Sequence, residues 1–336
     1  MPGIGIISNP FAKINKRDPE HNTLMWYILG NRGQFEVTNS LSHLSQVCQE
    51  FCNRDIDVVG IVGGDGTISL TLSALQKAYA GKTLPRIMIL RGGTVNVVAS
   101  NLGIFGKPKD VMADFIDAFH NNKPLAEMQL HTLKVNGQLG FIFANGLACR
   151  FLQEFYKNKT NATGAGLFVA RIFADGLLGG KITGEFKKLV QPESIAIQLN
   201  HPSISSTQES TDNYSLIFAS SIPKLPFGFH LFKGFSTLKS EAEMILIRAT
   251  GGELVRQASR IFTGQKFNPK TVSHALFDKA TLQTEPGQFY SLDGEILQAL
   301  DGKIEIEMGP AFVFCSPYGN ILSQHQSALH SGEPPS

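Results

Sequence analysis

The sequence has little excess of either charge and no long apolar run. Lys and Arg number 30 and Asp and Glu number 28 among 336 residues, which gives a formal net charge of +2. A dedicated nucleic-acid binder would carry a marked basic excess, so the composition argues against nucleic acid as a partner. No apolar stretch approaches the roughly 18 residues of a membrane-spanning helix, and the N-terminus shows no signal-peptide pattern. We therefore expect a cytoplasmic protein.

Cysteine is scarce and forms no sequence motif. The four cysteines, Cys48, Cys52, Cys149 and Cys315, show no CxxC spacing. Cys48 and Cys52 lie one helical turn apart, which favours a buried helix stripe over a metal site. The pattern predicts reduced thiols.

The first third of the chain alternates strand and helix patterns. The apolar run "VVGIV" from Val58 is typical of a strand buried on both sides of a parallel sheet. Other strand patterns cover residues 3–8, 34–37 and 86–90, and helical patterns cover 41–51, 68–79, 96–102 and 110–120. This alternation predicts an α/β domain with a doubly wound, mostly parallel sheet.

After Lys123-Pro124 the pattern changes to short strands with turn signals. Asn136-Gly137 joins two alternating runs, and Asp301-Gly302 is expected to make a second hairpin turn of this kind. Further strands are expected from residues 194, 214, 243 and 303, with one helix over 167–178. The pattern predicts an antiparallel, sandwich-like β domain.

Two predicted strands end in glycine-rich turns. Val58–Val62 runs into Gly63-Gly64-Asp65-Gly66-Thr67, and the next strand runs through Arg91 into Gly92-Gly93-Thr94, before a helix near Asn96. Ligands of open parallel sheets bind at the carboxyl ends of the strands, where glycine lets peptide N–H groups approach phosphate oxygens. The alternative interpretation of the first turn is a plain tight turn in which Asp65 caps a helix.

The first strand also ends in polar residues, Ser8-Asn9-Pro10, with the cations Lys13, Lys16 and Arg17 after them. Three such strand ends suggest a nucleoside triphosphate site, although no GxxxxGK[ST] loop occurs. Arg91 is either a phosphate ligand or a solvated or structurally paired arginine.

A late motif, Asp293-Gly294-Glu295, places two carboxylates beside a glycine. Taken alone it favours an ordinary hairpin turn. Opposite Asp65 across an interdomain cleft, these carboxylates would accept a hydroxyl proton and hold Mg²⁺.

In this order and spacing the motifs resemble the diacylglycerol kinase and sphingosine kinase superfamily, which includes bacterial lipid kinases. The resemblance covers most of the chain and implies a Rossmann-like nucleotide domain over residues 1–124. It also implies a β-sandwich lipid domain over 125–313, an ATP site in the cleft between the domains, and a return of residues 314–326 to the first domain. Residues 327–336 form the predicted polar tail, which is expected to fray.

The resemblance also implies roles for individual residues. Asp293 matches the general base, and Asp65 matches an aspartate that takes that role in the sphingosine branch, so both remain candidates. Asp65 and Glu295 would hold Mg²⁺. The residues implied to contact ATP are Asn9, Thr38, Gly63, Gly64, Gly66, Thr67, Gly93, Thr94, Asn96 and Glu295.

This chain also departs from the family pattern. Phe11-Ala12 replaces a Ser-Gly pair, Val97 replaces a carboxylate, and Arg91 stands where proline is usual. An accessory Asp-Asp-Gly metal motif of some bacterial members aligns with Leu238-Lys239-Ser240, which makes that metal doubtful.

The resulting hypothesis is an ATP-dependent lipid kinase that phosphorylates a lipid hydroxyl, with diacylglycerol as the first candidate. The apolar segment Ile222–Phe235 is expected either to contact lipid at the inner face of the membrane or to be buried in the sandwich. An exposed edge strand would allow a homodimer. The alternatives are NAD kinase, which shares a Gly-Gly-Asp-Gly loop, and a sensor that binds nucleotide or lipid without catalysis.

Overall fold

The computed structural model describes residues 3–157, 189–201, 204–223, 225, 242–250, 253–254, 260 and 267–318. The predicted helix over 167–178, most of the segment 222–235 and the tail 327–336 lie outside these residues. The chain divides into two compact units, Met1–Thr132 with Pro310–Ser336, and Leu133–Gly309. The boundaries predicted from the sequence lie near residues 124 and 314.

The first unit alternates strands and helices along the chain. A short 3₁₀ helix, Gly30–Arg32, precedes its second strand. Its elements are β1 (Gly3–Ser8), α1 (Lys13–Arg17), α2 (His21–Leu29), β2 (Gly33–Val37), α3 (Leu41–Asn53), β3 (Ile56–Gly63), α4 (Asp65–Ala78), β4 (Arg86–Arg91), α5 (Val97–Asn101) and α6 (Pro108–His120).

The strands of the first unit form a parallel sheet in the order β2-β1-β3-β4. The end of the chain's last strand joins this sheet beside β4, where Phe314 pairs with Ile87 in parallel. Val58, Val59, Ile61 and Val62 are all fully buried, because helices cover both faces of a sheet of this kind. The predicted parallel α/β arrangement is confirmed.

The predicted helix stripe with Cys48 and Cys52 is also found, on α3. Ser40 caps this helix by accepting a hydrogen bond from the peptide N–H of His43. Cys48 and Cys52 are buried, and burial raises the pKa of the Cys48 thiol to about 12. All four cysteines are free thiols.

The second unit consists mainly of antiparallel strands. The elements from residue 126 onward are β5 (Ala126–Val135), β6 (Gln138–Gly140), β7 (Ile142–Gly146), α7 (Leu147–Lys157), β8 (Glu193–His201), β9 (Ile204–Tyr214), β10 (Leu216–Ser220), β11 (Ala242–Ile247), β12 (Val272–Phe277), β13 (Lys279–Gln283), β14 (Gln288–Leu292), β15 (Glu295–Ala299) and β16 (Lys303–Ser316). The ends of β5 and β16 that lie before Leu133 and after Gly309 belong to the first unit.

Two layers of strands enclose the core of the second unit. One sheet has the order β12-β11-β10-β7-β14-β15, and the other layer pairs β13 with β8 and with the first part of β16. Their buried side chains form one cluster that includes Phe143, Leu246 and Tyr290 from the first sheet and Ile197 and Ile306 from the second. This packing confirms the predicted antiparallel sandwich.

The structure corrects the predicted elements at several points. Helix α4 begins at Asp65 rather than at Ile68, so Asp65-Gly66-Thr67 of the glycine-rich stretch form the start of the helix. The Asn136-Gly137 hairpin forms, but its second run divides at Phe141 into β6 and β7, which lie in different sheets. Helices α1, α2 and α7 were missed: α1 has only five residues and α2 lacks a clear apolar stripe, whereas the amphipathic pattern of α7 was overlooked.

The predicted second hairpin turn at Asp301-Gly302 is wrong. The strands on either side of it, β15 and β16, lie in different sheets. Gly302 has a φ of +74°, and its carbonyl accepts a hydrogen bond from the peptide N–H of Thr284. The turn therefore carries the chain from one sheet to the other.

Candidate functional site

The carboxyl ends of β1, β3 and β4 lie beside one another in the first unit. The peptide N–H of Asn9 donates to the carbonyl of Val62 at 3.1 Å, and that of Gly92 donates to Gly63 at 2.8 Å. Thr38, which follows β2, is buried and donates its peptide N–H to Ser8 at 3.0 Å. The predicted site residues of the first unit are thus brought to one edge of the parallel sheet.

The two glycine-rich turns touch backbone to backbone. A Cβ atom built on Gly93 would lie 2.5 Å from the Cα of Gly64, and one on Gly64 would lie 3.1 Å from the Cα of Gly93. A Cβ on Gly92 would lie 3.0 Å from the peptide nitrogen of Gly63. Glycine is therefore required here by close packing of the main chain, which leaves peptide groups at the strand ends uncovered by side chains.

Asn9 and Thr67 connect the loop after β1 to the glycine-rich turn after β3. The side-chain amide of Asn9 donates to the Thr67 hydroxyl at 2.9 Å, and the Asn9 oxygen accepts from the peptide N–H of Phe11 at 2.8 Å. The hydroxyl of Thr67 also lies within 2.7 Å of where a Cβ on Gly63 would be. These contacts fix both polar side chains at the start of α4.

Asn96 closes the turn after β4. Its backbone is left-handed, with a φ of +54°, which asparagine tolerates better than most residues. Its side chain accepts from the peptide N–H of Gly93 at 2.9 Å and donates to the carbonyl of the same residue at 3.1 Å. Asn96 is thereby held against Gly93, while Thr94 between them is exposed.

The carboxylate of Asp65 holds the second turn against the first. One oxygen accepts from the peptide N–H of Val97 and the other from that of Val98, each at 3.0 Å. Burial raises the pKa of Asp65, and the peptide N–H groups of Val98 and Val97 oppose this shift. The alternative that Asp65 serves as a helix cap is thus partly right, but the helix whose peptide N–H groups it accepts is α5 rather than its own helix α4.

Asp293 is held in the second unit by a related arrangement. It occupies a two-residue hairpin between β14 and β15, where Asp293 and Gly294 have φ values of +51° and +88°. One carboxylate oxygen accepts from the peptide N–H groups of Phe141 and Ile142 at 3.0 and 2.8 Å, and the other accepts from the N–H of Phe141 at 3.1 Å. These donors lie where the β6–β7 run divides, so the break in that strand presents N–H groups to the aspartate.

Two further residues surround this turn. Tyr156, on α7, donates its hydroxyl to the carbonyl of Gly294 at 3.0 Å. Burial raises the pKa of the Tyr156 hydroxyl, and the negative charge of Glu295 adds to the shift. Glu295 itself is exposed. Tyr156 was missed by the sequence analysis, because a lone tyrosine in an amphipathic helix gives no signal of what it contacts.

The described residues do not form a protein cage for a metal ion. Among them, no three His, Cys, Asp or Glu side chains gather into a metal-binding group. Asp65 already accepts a peptide N–H on each oxygen, so it fits a positioning role better than metal ligation. Glu295 is the exposed carboxylate of the predicted pair. This donor set suits Mg²⁺ that arrives with phosphate ligands, because Mg²⁺ uses few protein carboxylates at such sites.

Comparison with known proteins gives a family match over the first unit and structural matches over most of the chain. Residues 4–127 match the model of the diacylglycerol kinase catalytic domain. A diacylglycerol kinase structure from Bacillus anthracis str. Sterne is similar with 15% identity and a TM-score of 0.61, over 93% of this chain and 96% of that chain. Another from that organism, provisionally assigned as a diacylglycerol kinase, has 17% identity, a TM-score of 0.66 and the same coverage. No curated protein matches the sequence.

The match over residues 4–127 includes the three strand ends described above, and the structural matches show the same fold over nearly the whole chain. The family match thus covers the first unit up to β5, and the structural matches show the fold of the chain. The residues that match the diacylglycerol kinase catalytic domain lie in the first unit.

Proposed function

We propose that this protein is an ATP-dependent lipid kinase that transfers the γ-phosphate to the hydroxyl of diacylglycerol, giving phosphatidic acid. The observation that carries the proposal is the backbone contact between Gly64 and Gly93 at the carboxyl ends of β3 and β4. It lies within the part of the chain that matches a diacylglycerol kinase catalytic domain.

The first unit supplies the nucleotide-binding groups. Helix α4 runs for 14 residues from Asp65, so its first peptide N–H groups and its dipole favour a phosphate at the β3 end. Thr67 and Asn9 add polar side chains there. Phosphoryl transfer depends mainly on positioning and on charge neutralisation, so groups of this kind are sufficient for the nucleotide side of the reaction.

Asp293 is the base in this proposal, and Asp65 is a positioning residue. A base must lie in a fixed orientation toward the hydroxyl that it deprotonates. The peptide N–H groups of Phe141 and Ile142 fix the plane of the Asp293 carboxylate. Asp65 instead joins the two glycine turns through Val97 and Val98, so its loss would disturb the nucleotide site as a whole.

Mg²⁺ belongs to the proposal as a companion of ATP. When bound, it neutralises the charge that develops on the transferred phosphoryl group. Of the predicted ligands, Glu295 fits this role, because its carboxylate is exposed beside the Asp293 turn.

The lipid acceptor requires access to a membrane surface. In the described ranges, none of the helices has the length and the apolar character needed to cross a bilayer. Because diacylglycerol resides in the bilayer, we place the reaction at the inner membrane face, with the protein bound peripherally. Pairing into a homodimer through an exposed sheet edge is a separate proposal, and sedimentation of the purified chain at several concentrations tests it.

The function is tested by Mg²⁺-dependent transfer of labelled γ-phosphate from ATP. The acceptors are diacylglycerol, sphingoid bases and other membrane alcohols in mixed micelles, with NAD in a separate reaction. Labelled phosphatidic acid would support the proposal. Labelled NADP would favour NAD kinase, and ATP binding without any labelled product would favour a sensor.

A further inference from the structure

Arg91 ends β4 directly beside the two glycine turns. In the sheet it pairs with Gly63, the first glycine of the turn after β3. The next residue, Gly92, donates its peptide N–H to the Gly63 carbonyl at 2.8 Å. The side chain of Arg91 therefore originates within one residue of both turns.

The guanidinium of Arg91 is oriented by an aromatic ring rather than by an acid. Its central carbon lies 5.7 Å from the ring centroid of Phe105, a cation–π contact. Phe105 is 53% exposed, so the ring lies at the surface of the unit. The Nε atom of Arg91 is buried and has no hydrogen-bond partner within the described residues.

This arrangement sets Arg91 apart from the arginine at the other end of the same strand. Arg86 forms an ion pair with Glu127 at 3.1 Å. Arg150 and Arg248 likewise pair with Glu193 and Asp212. Over the described ranges, no carboxylate lies within ion-pair distance of Arg91.

A buried N–H group without a partner is costly, and a guanidinium is the side chain best shaped to bind phosphate in a bidentate manner. We propose that Arg91 is a further nucleotide-binding residue, which contacts a phosphate of the bound nucleotide beside the glycine turns. This inference rests on the proposed kinase function. Nucleotide binding would then give Arg91 the anionic partner that it lacks.

The experiment is calorimetric titration of ATP into wild type, Arg91→Ala, Arg91→Lys and the matched control Arg86→Ala, at several salt concentrations. Losing a charge-assisted hydrogen bond should weaken ATP binding by roughly tenfold to a hundredfold in Arg91→Ala. Arg91→Lys should recover part of the loss. Because a phosphate contact is electrostatic, the salt dependence of binding should be shallower in Arg91→Ala than in wild type.

Several results would overturn the inference. One is ATP affinity in Arg91→Ala equal to that of wild type. Another is a loss with unchanged salt dependence, which would indicate a contact with the base. A third is an equal loss in Arg86→Ala, which would indicate weakening of β4. If wild type itself binds no ATP, the proposed function fails instead, so the two failures are distinguishable.

Discussion

Asp65 in the first unit and Asp293 in the second are both held by the peptide N–H groups of two consecutive residues. Asp65 accepts from Val97 and Val98, and Asp293 accepts from Phe141 and Ile142. The settings differ. Asp65 opens a long helix and joins two loops of a parallel sheet, whereas Asp293 lies in a left-handed hairpin turn between antiparallel strands.

The difference suggests that the two aspartates have different roles. The Asp65 carboxylate spans two chain segments, so its hydrogen bonds are part of how the nucleotide site is built. The Asp293 turn would keep its shape through Gly294 and through the β14–β15 pairing even without the carboxylate. We infer that Asp65 acts mainly through structure and Asp293 mainly through chemistry, and the following variants test this contrast.

Asp293→Asn should have the largest effect. An amide cannot accept the hydroxyl proton, so lipid phosphorylation should fall on the order of a thousandfold, the range of a lost general base. ATP affinity should stay within about threefold, because the variant leaves the first unit unchanged. Labelled-phosphate transfer and calorimetric ATP binding measure the two quantities.

Asp301→Asn is the matched control for that variant. Asp301 also precedes a glycine with positive φ, and its carboxylate accepts from the peptide N–H of Lys303 at 3.0 Å, but it is exposed. Its variant should retain full transfer. Wild-type turnover by Asp293→Asn would contradict the role of Asp293 as base and would return that role to Asp65.

Asp65→Asn should lower the stability of the first unit. The side-chain NH₂ of the asparagine would face one of the two peptide N–H groups, so two donors would lie together without an acceptor. One buried donor would then be unpaired, which costs about 1–3 kcal/mol. ATP binding should weaken in parallel, since the Gly93 turn loses its tie to α4. Urea unfolding and ATP titration measure both effects.

The control for Asp65→Asn is Asp55→Asn, which removes an exposed ion pair with Lys82 and should leave the free energy of unfolding nearly unchanged. If Asp65→Asn unfolds like wild type yet loses all transfer, Asp65 acts in the chemistry. The contrast between the two aspartates would then be wrong.

Gly93→Ala and Gly64→Ala form a graded pair that tests the backbone contact itself. The added Cβ would meet main-chain atoms at 2.5 Å in the first variant and at 3.1 Å in the second. Main chain yields less easily than a side chain, so Gly93→Ala should cost about 1–3 kcal/mol and Gly64→Ala less. Thermal unfolding with and without ATP checks the order. A reversed order would mean that the turns are not held as described.

The sequence allowed much of the first unit to be predicted and less of the second. The glycines after β3 and β4 were predicted to let a phosphate approach the backbone. The structure shows a different reason for glycine there, the close packing of Gly64 against Gly93. The peptide donors to Asp293 were not predictable, because any residue carries an N–H group and only the division of the strand at Phe141 directs it. The partners of Arg91 and Tyr156 depend on loop packing, which residue spacing does not encode.

Replacement of His21 should have the smallest effect. In contrast to the two aspartates, its buried ring has a polar atom that accepts or donates no hydrogen bond within the described residues. It is 4% exposed, and its Nε2 atom has no hydrogen-bond partner in the part of the chain that the structure describes. Burial lowers the pKa of His21 from its usual 6.5, although the negative charge of Asp18 opposes this shift.

Because the folded state resists protonation of His21, the unfolded chain binds the proton more readily below pH 6.5. His21 should therefore cost no stability above that pH and should destabilise the fold as the pH falls through 6.5 toward its lowered pKa. His21→Gln does not have this loss. Its unfolding free energy should therefore increase relative to that of wild type as the pH is lowered from about 8 to about 5. The exposed His120→Gln is the control. A constant difference between His21→Gln and wild type across that range would mean that the His21 ring has a partner in solution, and the contrast with the peptide-bound aspartates would disappear.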